Sequence, residues 1–393
     1  MTGDAAPAAT RRFFLDWLRI AAFALLVPYH VGMYYVTWDW HVKSPFAGPA
    51  IEPLMRIANP WRMPLLFFVS GAVTAFMLAR AGATGALLRE RAGRLLRPLL
   101  FGMLVVVPPQ SFFEVRQKHG YEGGFASFMR LYLGGADGFC GPGGCIAMPT
   151  WNHLWFLPYL MTYTAVLWLV LRRWPDALDA AADAASRRMR GAALLGVPIV
   201  AFAAERWAVR DAFPITHALL GDWHAHAIYG SVFVLGAMSA RADRWERFES
   251  LRWPALGATV LGWLALVCGT PDAVRTIGAA SMQWGGVVAA VGFAYRHWNR
   301  DGRWRAALTE AVFPLYLLHQ TVIIVVAMGL ARWRPSPALE APLLALAAFG
   351  VPALVYLLVR RIGPLRPWFG LARVAAATPP PGAARARGSQ ASA

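Results

Sequence analysis

Charge is scarce in this chain, and lysine is almost missing. Only 15% of the 393 residues are charged, and of the 38 basic residues only Lys43 and Lys118 are lysines. A soluble chain of this length needs far more polar surface. Cysteine is scarce as well, with Cys140, Cys145 and Cys268 the whole set. Two cysteines without companion ligands make a poor metal centre, and no metal is expected. Cys140 and Cys145 flank a glycine-rich stretch and either pair, if that side is oxidising, or stay as thiols. Cys268 reads as a small core residue in an apolar run. No convincing internal repeat is present, and so no sign of an inverted-repeat transporter.

What is abundant is apolar surface: 58% of the residues are hydrophobic and the mean hydropathy is +0.43. A spanning helix needs roughly 20 mostly apolar residues. Ten apolar runs of 15 to 23 residues are the candidates, at 15–36, 60–79, 97–115, 153–171, 191–205, 224–240, 253–270, 277–295, 309–331 and 340–359. The expectation is an all-α polytopic membrane protein with about ten transmembrane helices. The net charge of +17 invites a nucleic-acid reading. Its distribution argues otherwise, because 26 basic residues fall on the two ends and alternate loops and 11 on the opposite loops. That bias puts both termini in the cytoplasm. Thr10–Leu15 looks like a twin-arginine export signal, but Asp16 and Arg19 interrupt the apolar region and no cleavage site follows. Residues 1–12 and 376–393 are small, polar or proline-rich and are expected to be disordered. They leave a single membrane domain over 13–375. The outer loop of about 116–152 is long enough to be functional or ordered on itself.

The first run carries Asp16, Arg19, His30 and Tyr34. At about 100° per residue the four lie on one stripe, with His30 roughly 16 Å further along the helix than Arg19. Ionisable groups inside a membrane are costly and usually functional. The bland alternative is an Asp16–Arg19 pair at the inner boundary and a satisfied core histidine at position 30. His224 and His226 have no carboxylate or cysteine at ligand spacing and receive no role.

Five segments then occur in order. They are Phe14-Leu15-Asp16-Trp17-Leu18-Arg19 with His30 eleven residues on, Phe67-Phe68-Val69-Ser70-Gly71, Arg91-Ala92-Gly93-Arg94 leading to Pro98, His153-Leu154-Trp155-Phe156-Leu157, and Tyr316-Leu317-Leu318-His319. Together they resemble the signature of the membrane O-acyltransferase family 3, over about residues 13–360. Pro28-Tyr29-His30 and Trp40-His41-Val42 with Lys43-Ser44 are similar to a branch taken to succinylate osmoregulated periplasmic glucans. Gln320 after the fifth segment and Pro158 after the fourth depart from the family pattern.

The resemblance implies a multi-pass inner-membrane enzyme that moves an acyl group, expected to be succinyl, from cytoplasmic acyl-CoA to a hydroxyl of a periplasmic glucan, with no tightly bound cofactor. Another surface polysaccharide such as O-antigen, or transport without chemistry, are the alternatives. Arg19, Arg91 and Arg94 are the expected acyl-CoA residues, since the guanidinium fork suits phosphate. His30 is the expected base. His319 or Tyr316 is expected to orient it or to hydrogen-bond the thioester carbonyl. Trp38, Asp39, Trp40, His41, His153 and Trp155 are the expected carbohydrate contacts. Membrane-interface anchoring is the alternative for the tryptophans, and topology for Arg91 and Arg94.

Overall fold

The computed structural model describes residues 12–136, 138–141 and 144–372. The expected disordered ends, apart from Arg12, lie outside the described residues. Fourteen α-helices are present among the described residues. They are α1 Phe13–Tyr35, α2 Glu52–Ala81, α3 Gly85–Phe101, α4 Pro108–His119, α5 Phe125–Leu133, α6 Phe156–Arg173 and α7 Ala177–Arg188. They continue with α8 Ala193–Val209, α9 Trp223–Ala242, α10 Glu246–Ser250, α11 Arg252–Val267, α12 Asp272–Trp298, α13 Arg305–Leu330 and α14 Pro337–Val359. The one pair of strands is a two-residue ribbon that sets Cys140 opposite Cys145, and these two cysteines are disulfide-bonded.

Each apolar run coincides with a helix, but length and composition support fewer crossings than ten. Six helical segments are long and apolar enough to span a bilayer: Phe13–Tyr35, Pro49–Ala81, Asn152–Arg173, Asp272–Trp298, Arg305–Trp333 and Pro337–Val359. Two further pairs bring the number to eight if each is one broken span: α3 with α4, bent by 43°, and α7 with α8, bent by 107°. The run at 253–270 forms α11, whose 16 residues fall short of a full span. Leu261, Leu346, Leu354 and Leu358 are each more than 60% exposed, a surface suited to lipid rather than water.

Two boundaries depart from the sequence pattern. Helix α2 begins eight residues before the expected run and passes through Pro60 and Pro64. The apolar residues around these prolines pack on neighbouring helices and offset the lost backbone bonds. Cys268 follows the end of α11 and is exposed, since an apolar side chain in a membrane protein need not face inward.

The Phe67–Gly71 segment has a packing reason. A Cβ on Gly71 of α2 runs into the Phe233 carbonyl of α9, and one on Gly236 of α9 runs into the Phe68 carbonyl. Two glycines thus let the backbones meet, as small residues do between membrane helices. Phe67 and Phe68 are fully buried beside that contact. The long loop is ordered on itself: Phe128 and Tyr132 of α5 pack with Phe112 and Val115 of α4.

Candidate active site

Two cavities approach each other through the helix bundle. The smaller, about 290 Å³, is lined by Arg19, Arg91, Arg94, Ser70, Phe23 and Thr309 among others. It lies at the face where α1 begins. The larger, about 750 Å³, reaches the opposite face and is lined by His30, His319, His153, Trp40, Trp155 and the Thr216–His217 loop among others. Tyr316 lines both. Its ring meets Phe23 at 5.2 Å and Phe156 at 6.2 Å, and Phe23 meets Phe156 at 6.2 Å, all edge to face. Three aromatic rings therefore form the partition.

In the smaller cavity, Arg19 donates to the Thr309 carbonyl at 3.1 Å. Asp16 pairs with Arg305 at 2.7 Å and acts on the Arg19 charge through space. The Arg91 Nε is buried without an acceptor. Three guanidiniums with donors to spare line one pocket, which fits a polyanionic occupant.

The histidines of the larger cavity differ in what their nitrogens are free to do. A carbonyl can only accept, so each ring nitrogen facing one must carry the proton. His30 Nδ1 lies 2.8 Å from the Leu26 carbonyl, and His319 Nδ1 lies 2.8 Å from the Tyr316 carbonyl. Both rings are therefore Nδ1–H tautomers. The unprotonated His319 Nε2 stands 3.2 Å from His30 Nδ1 and shares its hydrogen. That leaves His30 Nε2 with its lone pair and no partner among the described residues. His153 is different. Its Nε2 donates to the Leu317 carbonyl at 3.1 Å and its Nδ1 faces the Gln110 amide at 3.3 Å. Both nitrogens are engaged, so His153 positions its neighbours. The Tyr316 hydroxyl is likewise engaged, donating to the His153 carbonyl at 2.8 Å.

The expected carbohydrate contacts divide. Trp40 stacks obliquely on His30, with centroids 6.3 Å apart. Trp155 stacks on His217 at 4.0 Å and faces the cavity. Asp39 and His41 line it too, but both are tied down: Lys118 reaches Asp39 at 2.8 Å and His41 meets Glu114 at 2.5 Å. Trp38 stands outside the cavity, beneath the Arg56 guanidinium at 5.2 Å. The loop over the cavity is pinned further by the Lys43 ammonium, which donates to the Met33 and Val36 carbonyls at 2.8 Å each. Burial lowers that ammonium to about 8.

Sequence reasoning missed the hub of the site. Gln110 of α4 donates to Thr321 at 2.6 Å and accepts from Asn152 at 3.1 Å and from Gln320 at 3.0 Å. Gln320, a departure from the family pattern, thus joins the network that fixes His153. A glutamine inside an apolar run was the available signal. Arg62, Arg206, Gln283 and Tyr229 also line the larger cavity without having been singled out.

The acyltransferase domain family matches residues 12–357. The chain belongs to that family. Curated relatives named glucans biosynthesis protein C, from Salmonella heidelberg, Salmonella agona and Salmonella typhimurium, are each 25% identical over 273 residues. The aligned region covers 66% of this chain and 65% of each relative, so the match spans about two thirds of their length. No solved structure matches the chain.

Proposed function

We propose that this protein moves an acyl group, succinyl by the resemblance of its first-run and first-loop segments, from acyl-CoA to a hydroxyl of a periplasmic glucan. The observation that carries the reading is the pair of cavities meeting at Tyr316, one lined by three arginines, with the Arg91 Nε short of an acceptor, and the other ending on an unspent histidine nitrogen.

The phosphates of CoA suit Arg19, Arg91 and Arg94 on the face where α1 begins, which the loop charges make cytoplasmic. The acyl end extends past Tyr316 toward His30. An acceptor hydroxyl in the larger cavity loses its proton to His30 Nε2 as its oxygen attacks the thioester carbonyl. The C–S bond breaks, the ester forms, and the proton held by His30 passes to the departing thiolate to give CoA–SH. His319 Nε2 accepts from His30 Nδ1–H throughout, which steadies the imidazolium formed in between. Trp40 and Trp155 offer apolar faces to sugar rings.

The test is turnover by the purified protein. Succinyl-CoA and glucan together are expected to give free CoA and a succinylated glucan by mass spectrometry. Acyl-CoA left intact, with glucan or with other surface polysaccharides as acceptor, rejects the reading.

A further inference from the structure

The far end of the larger cavity holds two guanidiniums with unspent donors. Arg62 of α2 gives one nitrogen to Asn59, at 2.7 Å to its side chain and 3.1 Å to its carbonyl. It lies over the Tyr29 ring at 3.3 Å, and its Nε is buried without an acceptor. Arg206 of α8 gives one nitrogen to the Gln283 carbonyl oxygen at 2.6 Å, and its Nε is also buried without an acceptor. That bond turns the Gln283 amide nitrogen outward, and it too is buried and unpaired.

The acids nearby are occupied or absent from the lining. Asp39 and Glu114, the carboxylates that line this cavity, pair with Lys118 and His41. Glu205 precedes Arg206 and does not line the cavity; it lies 3.6 Å from His224, both its oxygens are buried without a hydrogen bond, and it offsets the Arg206 charge through space without taking any of its donors. Asp222 does not line the cavity; its Oδ2 accepts from the Tyr159 hydroxyl at 2.5 Å and the His217 amide at 2.8 Å, and its Oδ1 is buried without a partner. Tyr229 lies within electrostatic range of both arginines. Its hydroxyl has no hydrogen bond among the described residues.

A buried guanidinium with donors left unspent is costly. Two of them, an amide and a phenol, all short of acceptors along one wall, form a cradle for an acceptor-rich group. We infer that this wall is an anion subsite, in which Arg62, Arg206, Gln283 and Tyr229 hold a carboxylate or phosphate carried by the substrate. The identity of that substrate rests on the proposed function. Two sources have the required chemistry: the far carboxylate of a dicarboxylic acyl group, and an acidic substituent on the acceptor sugar. In either case the anion is bound beyond His30, and the subsite selects charged over neutral substrates.

Direct binding tests the subsite without any turnover. Free succinate and inorganic phosphate are titrated into the detergent-solubilised full chain, read by tryptophan fluorescence through Trp155, whose ring is 5.2 Å from Tyr229. Saturable binding is expected in the wild type, weakened about 10–100-fold in Arg62→Gln and in Arg206→Gln, with partial recovery in Arg206→Lys. Gln283→Leu supplies the same readout if a charge variant does not fold. Absence of saturable binding in the wild type, or affinity unchanged across the folded variants, overturns the subsite. Transfer assays separate the sources. Loss of preference for succinyl-CoA over butyryl-CoA in the variants assigns the anion to the acyl group. Loss of preference for acidic over neutral glucan assigns it to the acceptor. Variants that keep both preferences also overturn the proposal. Lost anion binding in a protein that transfers nothing keeps the subsite and rejects the function, while normal transfer with unaltered anion affinity does the reverse.

Discussion

At the scale of single residues, the site is decided by which nitrogen has nothing to do. Leu26 and His319 occupy His30 Nδ1, so the nitrogen left free to act as a base is Nε2. Replacing His30 with Ala is expected to lower transfer by about 10²–10⁴-fold while the thermal transition and the affinity for CoA stay near wild type. Near-normal turnover in the folded variant removes His30 from the chemistry. His217 supplies the pH dependence. Burial against Trp155 pulls its imidazole down to about 4 from an ordinary value of about 6.5. Between those values the unfolded chain binds the proton and the folded one does not, so stability falls as the pH drops through that window. At about 1.4 kcal/mol per pH unit the loss is roughly 3 kcal/mol, and His217→Gln is expected to flatten it in melts between pH 7 and 4. A slope unchanged by the substitution assigns the acid loss elsewhere. The Arg19–His30 stripe was legible because both groups sit on one helix and helical period alone aligns them. Arg62 and Arg206 were not, because they reach the cavity from helices far apart in sequence and look like ordinary loop charges. Hydrogen-bond hubs such as Gln110 depend on three segments meeting, which no spacing rule reports.

The elements show the same division. Apolar runs located the helices because burial in lipid or protein imposes the same pattern on every one of them. They did not locate the start of α2, which lies eight residues before the run, because tertiary packing carries the helix through Pro60. They do not fix the number of crossings, because a short apolar helix such as α11 satisfies a hydropathy window yet falls short of a full span. Gly71 illustrates what an element needs beyond hydropathy. Its missing side chain allows α2 and α9 to touch backbone to backbone, so Gly71→Ala must push the helices apart or strain them. The variant is expected to lose about 1–3 kcal/mol of stability, measured as a lower thermal transition in detergent. Ser70 is the next residue and lines the smaller cavity, so the same shift is expected to weaken CoA binding. A Gly71→Ala protein as stable as wild type means that the close approach is not needed.

Taken whole, the molecule is a wall with a chamber on each side and one thin place between them. The thin place is aromatic, and the Tyr316 ring is 3% exposed, with Phe23 and Phe156 packed edge-on against it. Such a partition has a chemical purpose if a thioester is presented to it from one side, because water from the other chamber competes with the acceptor hydroxyl. The ring excludes that water by bulk, and its hydroxyl is spent on the His153 carbonyl. Removing the ring and removing the hydroxyl therefore have different consequences. Tyr316→Phe keeps the barrier and loses one buried hydrogen bond, leaving the His153 carbonyl unpaired at a cost of about 1–3 kcal/mol. Its ratio of transfer to hydrolysis is expected to stay as in the wild type. Tyr316→Ala joins the chambers. Its stability is expected to fall by about 3–5 kcal/mol, and acyl-CoA is expected to be hydrolysed without acceptor at a rate that approaches or exceeds transfer. The measurement is CoA release with and without glucan, beside ester formed, for the three proteins in the same detergent. A Tyr316→Ala protein that remains folded and releases CoA only when glucan is present means that the ring is not what keeps the chambers apart.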